Sequence, residues 1–323
     1  YPRLDNASGI WNMKEVTDAV KGGYWPNATS RILTAGGNNP GATDTIEYIT
    51  ISTTGDSADF GNLTTGRLNI ISGVGNFTRG IWGGGGDPAT DIATAIDYVA
   101  FMTLGNAADF GDLTVGRNAG GSCNSTRGVF WAATTSNTID YVQMASTGNA
   151  TDFGDQTTAR YYGAQLNSPT RGVYAGGGSP GATNIIDHIT FASTGNAVDF
   201  GDINTATLGG MGGTSSSTRG SFGAGYTPTL LSQLEYVEIA STGNAIDYGD
   251  LSAAKSMLGA ESNSVRGVFL GGKTPTLIDV IEYFAIPVGG TVVDFGDLTA
   301  GWQQNAACSN THGGLNDGNQ GIV

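Results

Sequence analysis

The sequence predicts an all-β fold, a six-bladed β-propeller built from four-stranded antiparallel blades. The first observation behind this prediction is a motif, Asp-Phe-Gly with Tyr in one copy, that occurs six times at intervals of 43 to 50 residues. Periods of about 40 to 50 residues are typical of propellers and solenoids, in which each repeat is one structural unit. The copies begin at Asp59, Asp109, Asp152, Asp199, Asp247 and Asp294.

The second observation is a pattern of four strands within each repeat. A first segment is rich in small residues, as in Ala119–Cys123, and a second follows a Thr-Arg-Gly turn such as Thr78–Gly80. A third segment alternates apolar and polar residues, as in Ile139–Met144, and the Asp-Phe-Gly segment is the fourth. Gly-Asn pairs such as Gly148–Asn149 between the third and fourth segments are typical of two-residue hairpin turns. Four antiparallel strands per repeat make one propeller blade.

The third observation is that the two ends of the repeat region complement each other. The chain enters at a second strand, Arg31–Thr34, and ends with an unaccompanied first strand, Gln303–Cys308. We therefore predict that these two strands share one blade and close the ring, which removes exposed sheet edges. Residues Thr311–Gly314 are expected to trail over this closure.

The domain organisation predicted from these patterns has three parts. Residues 1–26 form a short N-terminal helical segment, because Met13, Val16 and Val20 follow helical spacing and glycines end the run. This segment either caps the propeller or attaches it to a partner. Residues 27–315 form the propeller and residues 316–323 a C-terminal tail. Tyr1 is not expected to be the encoded start, because neither an initiator Met nor a signal peptide precedes the helix.

Composition and charge exclude several classes of protein. The chain is 39% hydrophobic and only 13% charged, which favours a packed core over disorder. A net charge of −14 argues against nucleic acid and anionic membranes as partners. No apolar run is long enough to span a bilayer. Cys123 and Cys308 occupy the same position in non-adjacent repeats, and we expect both to be free and buried, with no disulfide, metal site or cofactor.

The Asp-Phe-Gly motif itself is predicted to be structural. In protein kinases it binds a metal ion, but there it is accompanied by a glycine-rich loop, a strand lysine and a His-Arg-Asp loop, which this sequence lacks. The aromatic residues of the motif are expected to fill the space between blades: Phe60, Phe110, Phe153, Phe200, Tyr248 and Phe295.

Two further sets of charged residues recur with the repeat. One is the turn arginine, and the other is an acid just before the third-strand aromatic. We expect them to form a ring of ion pairs or turn hydrogen bonds that fixes register. The arginines are Arg31, Arg79, Arg127, Arg171, Arg219 and Arg266, and the acids are Glu47, Asp97, Asp140, Asp187, Glu235 and Glu282.

Motifs for catalysis are weak, and we predict a protein that is not an enzyme. The sequence has two histidines, and His188 takes the place that the repeat gives to Tyr, which indicates a substituted structural position. Neither lies near a nucleophile motif of the Gly-x-Ser-x-Gly kind. A polysaccharide-acting propeller enzyme remains the competing class, but it would need an acid cluster in the central channel, and the small-residue first strands offer none.

Function is predicted to reside in the loops between second and third strands, which vary in length and content between repeats and share one face of the disc. Ordinary loop drift explains this variation equally well. The candidate ligand-binding residues in these loops are Asn38, Asn39, Asp87, Asp91, Tyr226 and Lys273.

The repeat region resembles the kelch class of propeller. The resemblance consists of a Gly-Gly pair after the second strand, an aromatic residue in the third strand and a small-residue first strand. The tryptophan usual after the kelch third strand is absent. The resemblance therefore implies the strand pattern of that class and no particular ligand.

The head of the chain, Gly9–Pro26, is similar to the segment G-(V/I)-W-x-(L/M)-x-E … G-x-W-P of structural proteins of tailed bacteriophages, especially marine ones. The repeat Ser241–Leu251 is also similar to repeats in such virion proteins. The resemblance implies a non-enzymatic virion protein at the tail or capsid surface, such as a tail-fibre propeller for host attachment.

In that case residues 1–26 would anchor the protein to other virion proteins, and the variable loops would bind a host glycan or protein. An oligomer or attachment to a symmetric hub would be expected. The alternatives are a decoration or scaffold protein without receptor binding, a glycan-active enzyme, and a cellular kelch-like interaction module.

Overall fold

The computed structural model describes residues 30–70, 73–86, 93–131 and 136–315. The predicted N-terminal helix and the predicted tail at 316–323 lie outside these residues. The described residues form 27 β-strands and no helix, so none of their elements is a helix that could cross a membrane.

The strands have the following bounds, in chain order: β1 (Arg31–Ala35), β2 (Thr43–Thr50), β3 (Ala58–Arg67), β4 (Val74–Gly75), β5 (Arg79–Gly83), β6 (Ala95–Ala100), β7 (Ala108–Asp112), β8 (Gly121–Cys123), β9 (Arg127–Phe130), β10 (Thr138–Gln143), β11 (Thr151–Asp155), β12 (Ala164–Asn167), β13 (Arg171–Ala175), β14 (Gly178–Ser179), β15 (Gly181–Thr190), β16 (Val198–Thr207), β17 (Gly209–Ser215), β18 (Arg219–Tyr226), β19 (Leu231–Glu238), β20 (Ile246–Lys255), β21 (Gly259–Ser262), β22 (Arg266–Leu270), β23 (Lys273–Thr274), β24 (Thr276–Leu277), β25 (Val280–Ala285), β26 (Val293–Asp297) and β27 (Ala306–Ser309).

These strands form six antiparallel blades, each with four strands in the order first to fourth. Blade 1 is β27-β1-β2-β3, blade 2 is β4 to β7 and blade 3 is β8 to β11. Blade 4 is β12-β13-β15-β16 with β14 folded against β15, blade 5 is β17 to β20, and blade 6 is β21-β22-β25-β26. The short hairpin β23-β24 lies in the loop of blade 6.

The ring is closed by the two ends of the repeat region, as predicted. The first strand β27 pairs with β1, with Leu33 opposite Cys308 and Ala35 opposite Ala306. The six first strands are the innermost, and each contacts the first strands of both neighbouring blades around a central channel. The six-bladed propeller with end-to-end closure is therefore confirmed.

The core consists of apolar clusters, each in the wedge-shaped space between two neighbouring blades. In one of them Phe60 of blade 1 lies with Trp82 and Phe101 of blade 2, all nearly inaccessible to solvent. Tyr48 meets Phe60 edge-on, with 6.1 Å between ring centroids. The prediction that the motif aromatics fill the space between blades is confirmed. His188 meets Phe200 in the same edge-on way at 5.6 Å, which confirms that it replaces the repeat Tyr in a structural position.

The motif glycine is required by a contact with the next blade. Gly61 has φ +150°, and a Cβ on it would lie 2.4 Å from the carbonyl oxygen of Gly105. Around this contact Gly105 N donates to Phe60 O at 2.9 Å, and Asn62 N donates to Asn106 Oδ1 at 3.1 Å. The same close approach recurs at Gly111, Gly154, Gly201, Gly249 and Gly296. The Asp-Phe-Gly motif is thus the place where each fourth strand receives the hairpin turn of the following blade.

Of the two alternatives for the turn arginines, the ion pair with the third-strand acids is wrong and the ring of turn hydrogen bonds is confirmed. Arg31 lies over the Tyr48 ring, 4.9 Å from its centroid, and donates from Nη1 to Phe101 O of the next blade at 2.9 Å. The other turn arginines make the corresponding carbonyl bond, except that Arg219 bonds Pro287, one residue beyond the equivalent Ile286, whose carbonyl accepts from Tyr248. The acceptors of the other five, in chain order from Arg79 to Arg266, are Met144, Phe191, Ile239, Pro287 and Ile51.

The acids instead face the preceding blade, where the end of the fourth strand supplies a second set of cations. The buried ion pairs are Arg67–Asp97, Arg117–Asp140, Arg160–Asp187 and Lys255–Glu282. At the other two junctions the cation is replaced. Trp302 takes the position of the cation opposite Glu47, and its Nε1 donates to this carboxylate at 3.3 Å. Thr207 takes the same position opposite Glu235.

Candidate functional site

The disc has two faces of different composition. Because neighbouring strands are antiparallel, the turns after first and third strands lie on one face and the connections after second and fourth strands on the other. We name the first the turn face, which carries the Thr-Arg-Gly and Gly-Asn turns. We name the second the loop face, which carries the variable loops and the connections between blades.

The loop face holds those sequence-predicted ligand residues that the structure describes. Asn38, Asn39, Tyr226 and Lys273 belong to the loops of blades 1, 5 and 6, which are neighbours in the ring. Tyr226, at 40% exposure, Lys273 and Asn39 are exposed, whereas Asn38 is half-buried. Asp87 and Asp91 lie outside the described residues.

The described contacts spread these residues around the face rather than joining them in one pocket. Each loop pairs with the connection that enters its own blade. Asn38 N donates to Gln303 O at 2.9 Å, and Lys273 N donates to Ser256 O at 2.9 Å. Tyr226 O accepts from Leu208 N at 2.7 Å.

The turn-face end of the central channel is occupied by the chain itself. Residues Asn310–Leu315, here called the tail segment, follow β27 directly and are buried throughout. His312 Nε2 donates to Gly75 O of blade 2 at 2.8 Å, and Gly313 N donates to Ser215 O of blade 5 at 3.0 Å. The expectation that these residues trail over the closure is therefore wrong.

Two features of the sequence make this insertion possible. The first strands carry small residues, which leave room along the axis. The tail segment also presents glycines where space is least. A Cβ on Gly313 would lie 2.1 Å from Ser216 O, and one on Gly314 would lie 1.9 Å from Cys123 O.

A ring of polar contacts surrounds the tail segment. Four successive first strands, β4, β8, β12 and β17, each donate a backbone N–H to a side chain of the next, beginning with Gly75 N to Cys123 Sγ at 3.2 Å. Cys123 N donates to Asn167 Oδ1 at 2.8 Å, Asn167 N to Ser215 Oγ at 3.1 Å, and Ser215 N to Ser262 Oγ at 2.9 Å. These contacts satisfy inner-strand donors that no further strand could pair.

The Cys123–His312 contact in the channel is neutral. The sulfur lies 3.3 Å from Nε2, and His312 Nδ1 accepts from Gly314 N at 3.0 Å, so the ring proton sits on Nε2. Burial lowers the pKa of His312 to about 4 and raises that of the Cys123 thiol above its ordinary value. A thiolate–imidazolium pair, which a cysteine nucleophile requires, is therefore disfavoured.

The two cysteines are free and buried, as predicted, but they do not occupy equivalent positions. Cys123 lies opposite Gly128 and faces blade 2 and the tail segment, whereas the residue of blade 1 at that register is Ser309, opposite Ile32. Cys308 is one position earlier and belongs to the wedge between blades 1 and 2. The connection from the motif aromatic to the first strand is longer in blade 1 than in blade 3. Counting residues from that aromatic therefore placed the two cysteines at the same position, although the strand registers differ.

Sequence reasoning missed one buried acid of the first strands. Glu261 of β21 is 5% exposed, and its Oε2 accepts from Ser262 N at 2.8 Å. Burial raises the pKa of this carboxyl to about 8. Alignment of the first strands could have revealed Glu261, because it is the one acid at this position. The other first strands have Val74, Ser122, Leu166, Thr214 and Cys308 there.

The connections between blades meet around the loop-face end of the channel, which we call the axial mouth. Five of the six connections turn inward through a residue with positive φ, a conformation that non-glycine residues seldom adopt. These residues are Asn69, Tyr162, Gly209, Met257 and Gln304. Across the mouth, Tyr162 Oη donates to Asn69 Oδ1 at 2.8 Å. Burial raises the pKa of Tyr162 to about 12, so the phenol remains a donor at neutral pH.

A small cavity opens at the axial mouth. Its lining residues are Ile70, Tyr162, Gly210, Met211, Met257, Leu258, Gln304 and Asn305. About 10 Å³ is free for the centre of a water-sized sphere, which is room for about one water molecule or methyl group. Asn305 is 2% exposed, and its Oδ1 has no hydrogen-bond partner.

The axial mouth was not among the sequence-predicted sites. Its residues come from five connections far apart in the chain, which periodicity alone does not assemble. The available signal was the residue pair after the repeated cation, which differs in every repeat: Leu68-Asn69, Asn118-Ala119, Tyr161-Tyr162, Leu208-Gly209, Ser256-Met257 and Gln303-Gln304.

Comparison with protein-family models and with curated protein sequences finds no match to this chain. The class that the fold defines is the six-bladed β-propeller. The similarities to kelch repeats and to phage virion proteins remain predictions from the sequence.

Proposed function

We propose that this protein is a non-enzymatic component of a tailed-bacteriophage virion, a surface or tail-fibre propeller that attaches the particle to its host through the loop face. The observation that carries the proposal is the contrast between the two faces. Contacts on the turn face and in the wedges recur from blade to blade, whereas residues on the loop face do not. A rigid scaffold that presents non-repeating side chains on one face suits recognition.

The chemistry of the loop face fits a glycan or a polar protein surface. Tyr226 offers an aromatic ring, while Asn39 and Lys273 offer hydrogen-bond donors, all exposed to solvent. Placement on the virion rests on the similarity of Gly9–Pro26 to phage head segments, with residues 1–26 as the anchor to other virion proteins.

The experiment is a binding screen of the intact protein against fractions of host envelope and host glycans. The triple variant Asn39→Ala, Tyr226→Ala, Lys273→Ala is compared with wild type. The matched control is Leu104→Ala, an exposed apolar residue of the turn face. We expect the triple variant to lose binding and the control to keep it, with both retaining the circular dichroism spectrum of the fold.

Absence of binding to every host fraction would overturn attachment and favour a decoration or scaffold protein. The virion assignment has its own test. Mass spectrometry of purified particles should detect this chain in stoichiometric amounts, and a cellular interaction protein would be missing from them.

A further inference from the structure

The exposed apolar side chains of the propeller lie mostly on its turn face. Among the described residues, eight large apolar side chains are at least 40% exposed. Two of them lie towards the loop face, since Val115 follows the fourth strand β7 and Tyr226 ends the second strand β18. The other six lie in the turns between third and fourth strands or directly after them: Met102, Leu104, Val198, Ile246, Val288 and Val293.

Three of these side chains lie at the junction of blades 5 and 6, and we call them the turn-face patch. They are Val288, Ile246 and Val293, with exposed fractions of 77%, 55% and 54%. The turn of blade 6 packs on the fourth strand of blade 5, where Gly290 N donates to Tyr248 O at 2.8 Å. Val288 belongs to this turn, Ile246 lies two residues before Tyr248, and Val293 begins the strand after the turn. Apolar side chains that gather in this way are typical of protein–protein contacts.

A groove adjoins the patch. It has a volume of about 290 Å³ and is lined by hairpin turns of blades 5 and 6, with Ser217, Ser264 and Pro287 among its residues. Its one cation is Arg219, and this guanidinium already donates to Glu238 at 2.8 Å. The groove therefore offers space and hydroxyl groups to a partner side chain beside the apolar patch.

The fold does not require apolar residues at the positions of the patch. The first position of the fourth strand holds Ala58, Ala108 and Thr151 in blades 1 to 3. The same position holds Val198, Ile246 and Val293 in blades 4 to 6. Both sets form the same four-stranded blade. The apolar side chains are exposed and add nothing to the wedges, so a contact outside the chain explains them better than packing does.

The surroundings of the patch are acidic. The second residue of every fourth strand is an exposed aspartate, and Asp247 and Asp294 are the two beside the patch. Protein interfaces pair an apolar centre with a polar rim of complementary charge. A partner on this face must therefore surround its apolar side chains with lysine or arginine. A second copy of this chain would bring the same aspartates and a net charge of −14, which disfavours self-association here.

The chain also approaches the propeller from the turn face. Second strands begin on this face, and Ser30 directly precedes β1. Its Oγ lies 2.5 Å from Thr311 Oγ1 of the tail segment. Residues 1–26, the segment proposed to anchor the protein, are therefore tethered to blade 1, the neighbour of blade 6 in the ring.

We propose that the turn-face patch and the adjoining groove dock the body of the propeller on another virion protein, one that presents apolar side chains within a basic rim. The partner that holds residues 1–26 meets this chemistry at the patch, and the loop face on the opposite side is left free for the host. This inference rests on the proposed attachment function, and it names the surface that faces the particle.

Carbodiimide cross-linking of purified particles tests the contact, because this reagent joins a carboxylate directly to an amine that touches it. Mass spectrometry then identifies the joined residues. We expect Asp247 and Asp294 to be joined to lysines of another virion protein. Asp44 and Asp279 are exposed acids at the loop-face ends of their strands, and as internal controls they should remain unjoined.

The second measurement is incorporation into particles. The triple variant Ile246→Thr, Val288→Ser, Val293→Thr keeps residues 1–26, and threonine is already present at the equivalent position of blade 3. We expect its copy number per particle, measured by quantitative mass spectrometry, to fall by about tenfold, as loss of a central apolar contact does in other interfaces. The matched control is Met102→Ser, Leu104→Ser in the turn of blade 2, which should be incorporated like wild type. Thermal melts of the purified proteins verify that the fold is kept.

Wild-type incorporation of the triple variant, or absence of cross-links at Asp247 and Asp294, would overturn the docking surface. Cross-links from these aspartates to lysines of this chain would also overturn it, because the occupant would then be a second copy or the chain's own N-terminal segment. If the protein is present in particles but fails these tests, docking at the patch fails while the proposed function stands. If the protein is absent from particles, both proposals fail.

Discussion

The wedges between blades and the axial mouth are built from the same repeat but follow opposite rules. In the wedges, one set of contacts recurs around the ring: a motif glycine against a hairpin turn, a turn arginine on a carbonyl, an acid facing the end of the preceding fourth strand. At the axial mouth, the corresponding positions hold residues as different as Asn69, Tyr162, Met257 and Gln304. Contacts that recur from blade to blade therefore stabilise the fold, and positions that differ between repeats are where we expect ligand recognition.

Two wedges have no cation facing the acid, and one of them sharpens the comparison. Between blades 3 and 4, Arg160 pairs with Asp187 at 2.8 Å, and both side chains are fully buried. Between blades 4 and 5, Thr207 replaces the cation, and Glu235 receives only a backbone donor from Asn204 at 3.0 Å and the Asn204 side chain. Burial accordingly raises the pKa of Glu235. The ring therefore tolerates a junction in which no cation faces the acid.

The largest effect is expected from breaking a buried pair. Arg160→Met should lower the free energy of unfolding by about 3–5 kcal/mol, because Asp187 is left buried without a counter-charge. Urea denaturation measures the change. Glu235→Gln at the cation-free junction is the matched control and should cost under about 1 kcal/mol, since no pair is lost. Equal losses in the two variants would remove the distinction between the junctions.

The buried acid of the first strands should give a pH-dependent effect. The pKa of Glu261 is raised from its ordinary value to about 8, so the folded state holds a proton that the unfolded state releases above about pH 4.5. Stability from this group is therefore complete at low pH and is lost as the pH rises towards 8. Glu261→Gln should match wild type at pH 5 and exceed it at pH 8, by on the order of 3 kcal/mol.

Unfolding curves of both proteins at several pH values give the difference between them, and other titrating groups cancel in that difference. A difference that stays constant from pH 5 to pH 8 would contradict the raised pKa.

A smaller effect is expected at the motif glycine. Gly201→Ala should cost about 1–3 kcal/mol, because φ is +149° and the new Cβ would meet Gly243 O at 2.4 Å. Gly181→Ala is the control, since a Cβ there meets no atom within 4 Å. Thermal denaturation of the two variants should separate them by several degrees. If Gly201→Ala proves as benign as the control, the contact does not explain the motif.

The smallest effect belongs to the axial mouth. Tyr162→Phe removes the hydroxyl that donates to Asn69, and it should lower the free energy of unfolding by about 0.5–1.5 kcal/mol. Chemical denaturation measures it. A loss comparable to that of Arg160→Met would show that the mouth is as structural as the wedges.

The blade count and the closure could be predicted because they depend on strand period and on the strands missing at each end. The partners of the acids could not. Two sets of cations recur with the same period, one at Arg31 and its equivalents and one at Arg67 and its equivalents. Which set meets the acids depends on which side of the strand faces the neighbouring blade, and this is a property of the assembled ring.

The filled channel and the axial mouth were unpredictable for a different reason. Thr311–Gly314 look like the start of another second strand, and only the width of a channel lined by small residues decides that they enter it. The mouth joins Asn69 to Tyr162, which no local pattern connects. The candidate residues Asn38, Asn39, Tyr226 and Lys273 lie on the expected face, and whether they bind a ligand remains a prediction.

The tail segment and β27 determine which parts of this fold can form first during synthesis. The chain is synthesised from its N-terminus, and five blades can assemble before residues 306–315 have been added. Until then blade 1 lacks its inner strand and the central channel lacks the tail segment. Both come from the same ten residues, because β27 completes the sheet and the tail segment follows it directly into the channel. Pairing of β27 with β1 and entry of the tail segment therefore depend on one short stretch of chain, and a chain that stops short of it would expose a sheet edge to any neighbour with an unpaired strand.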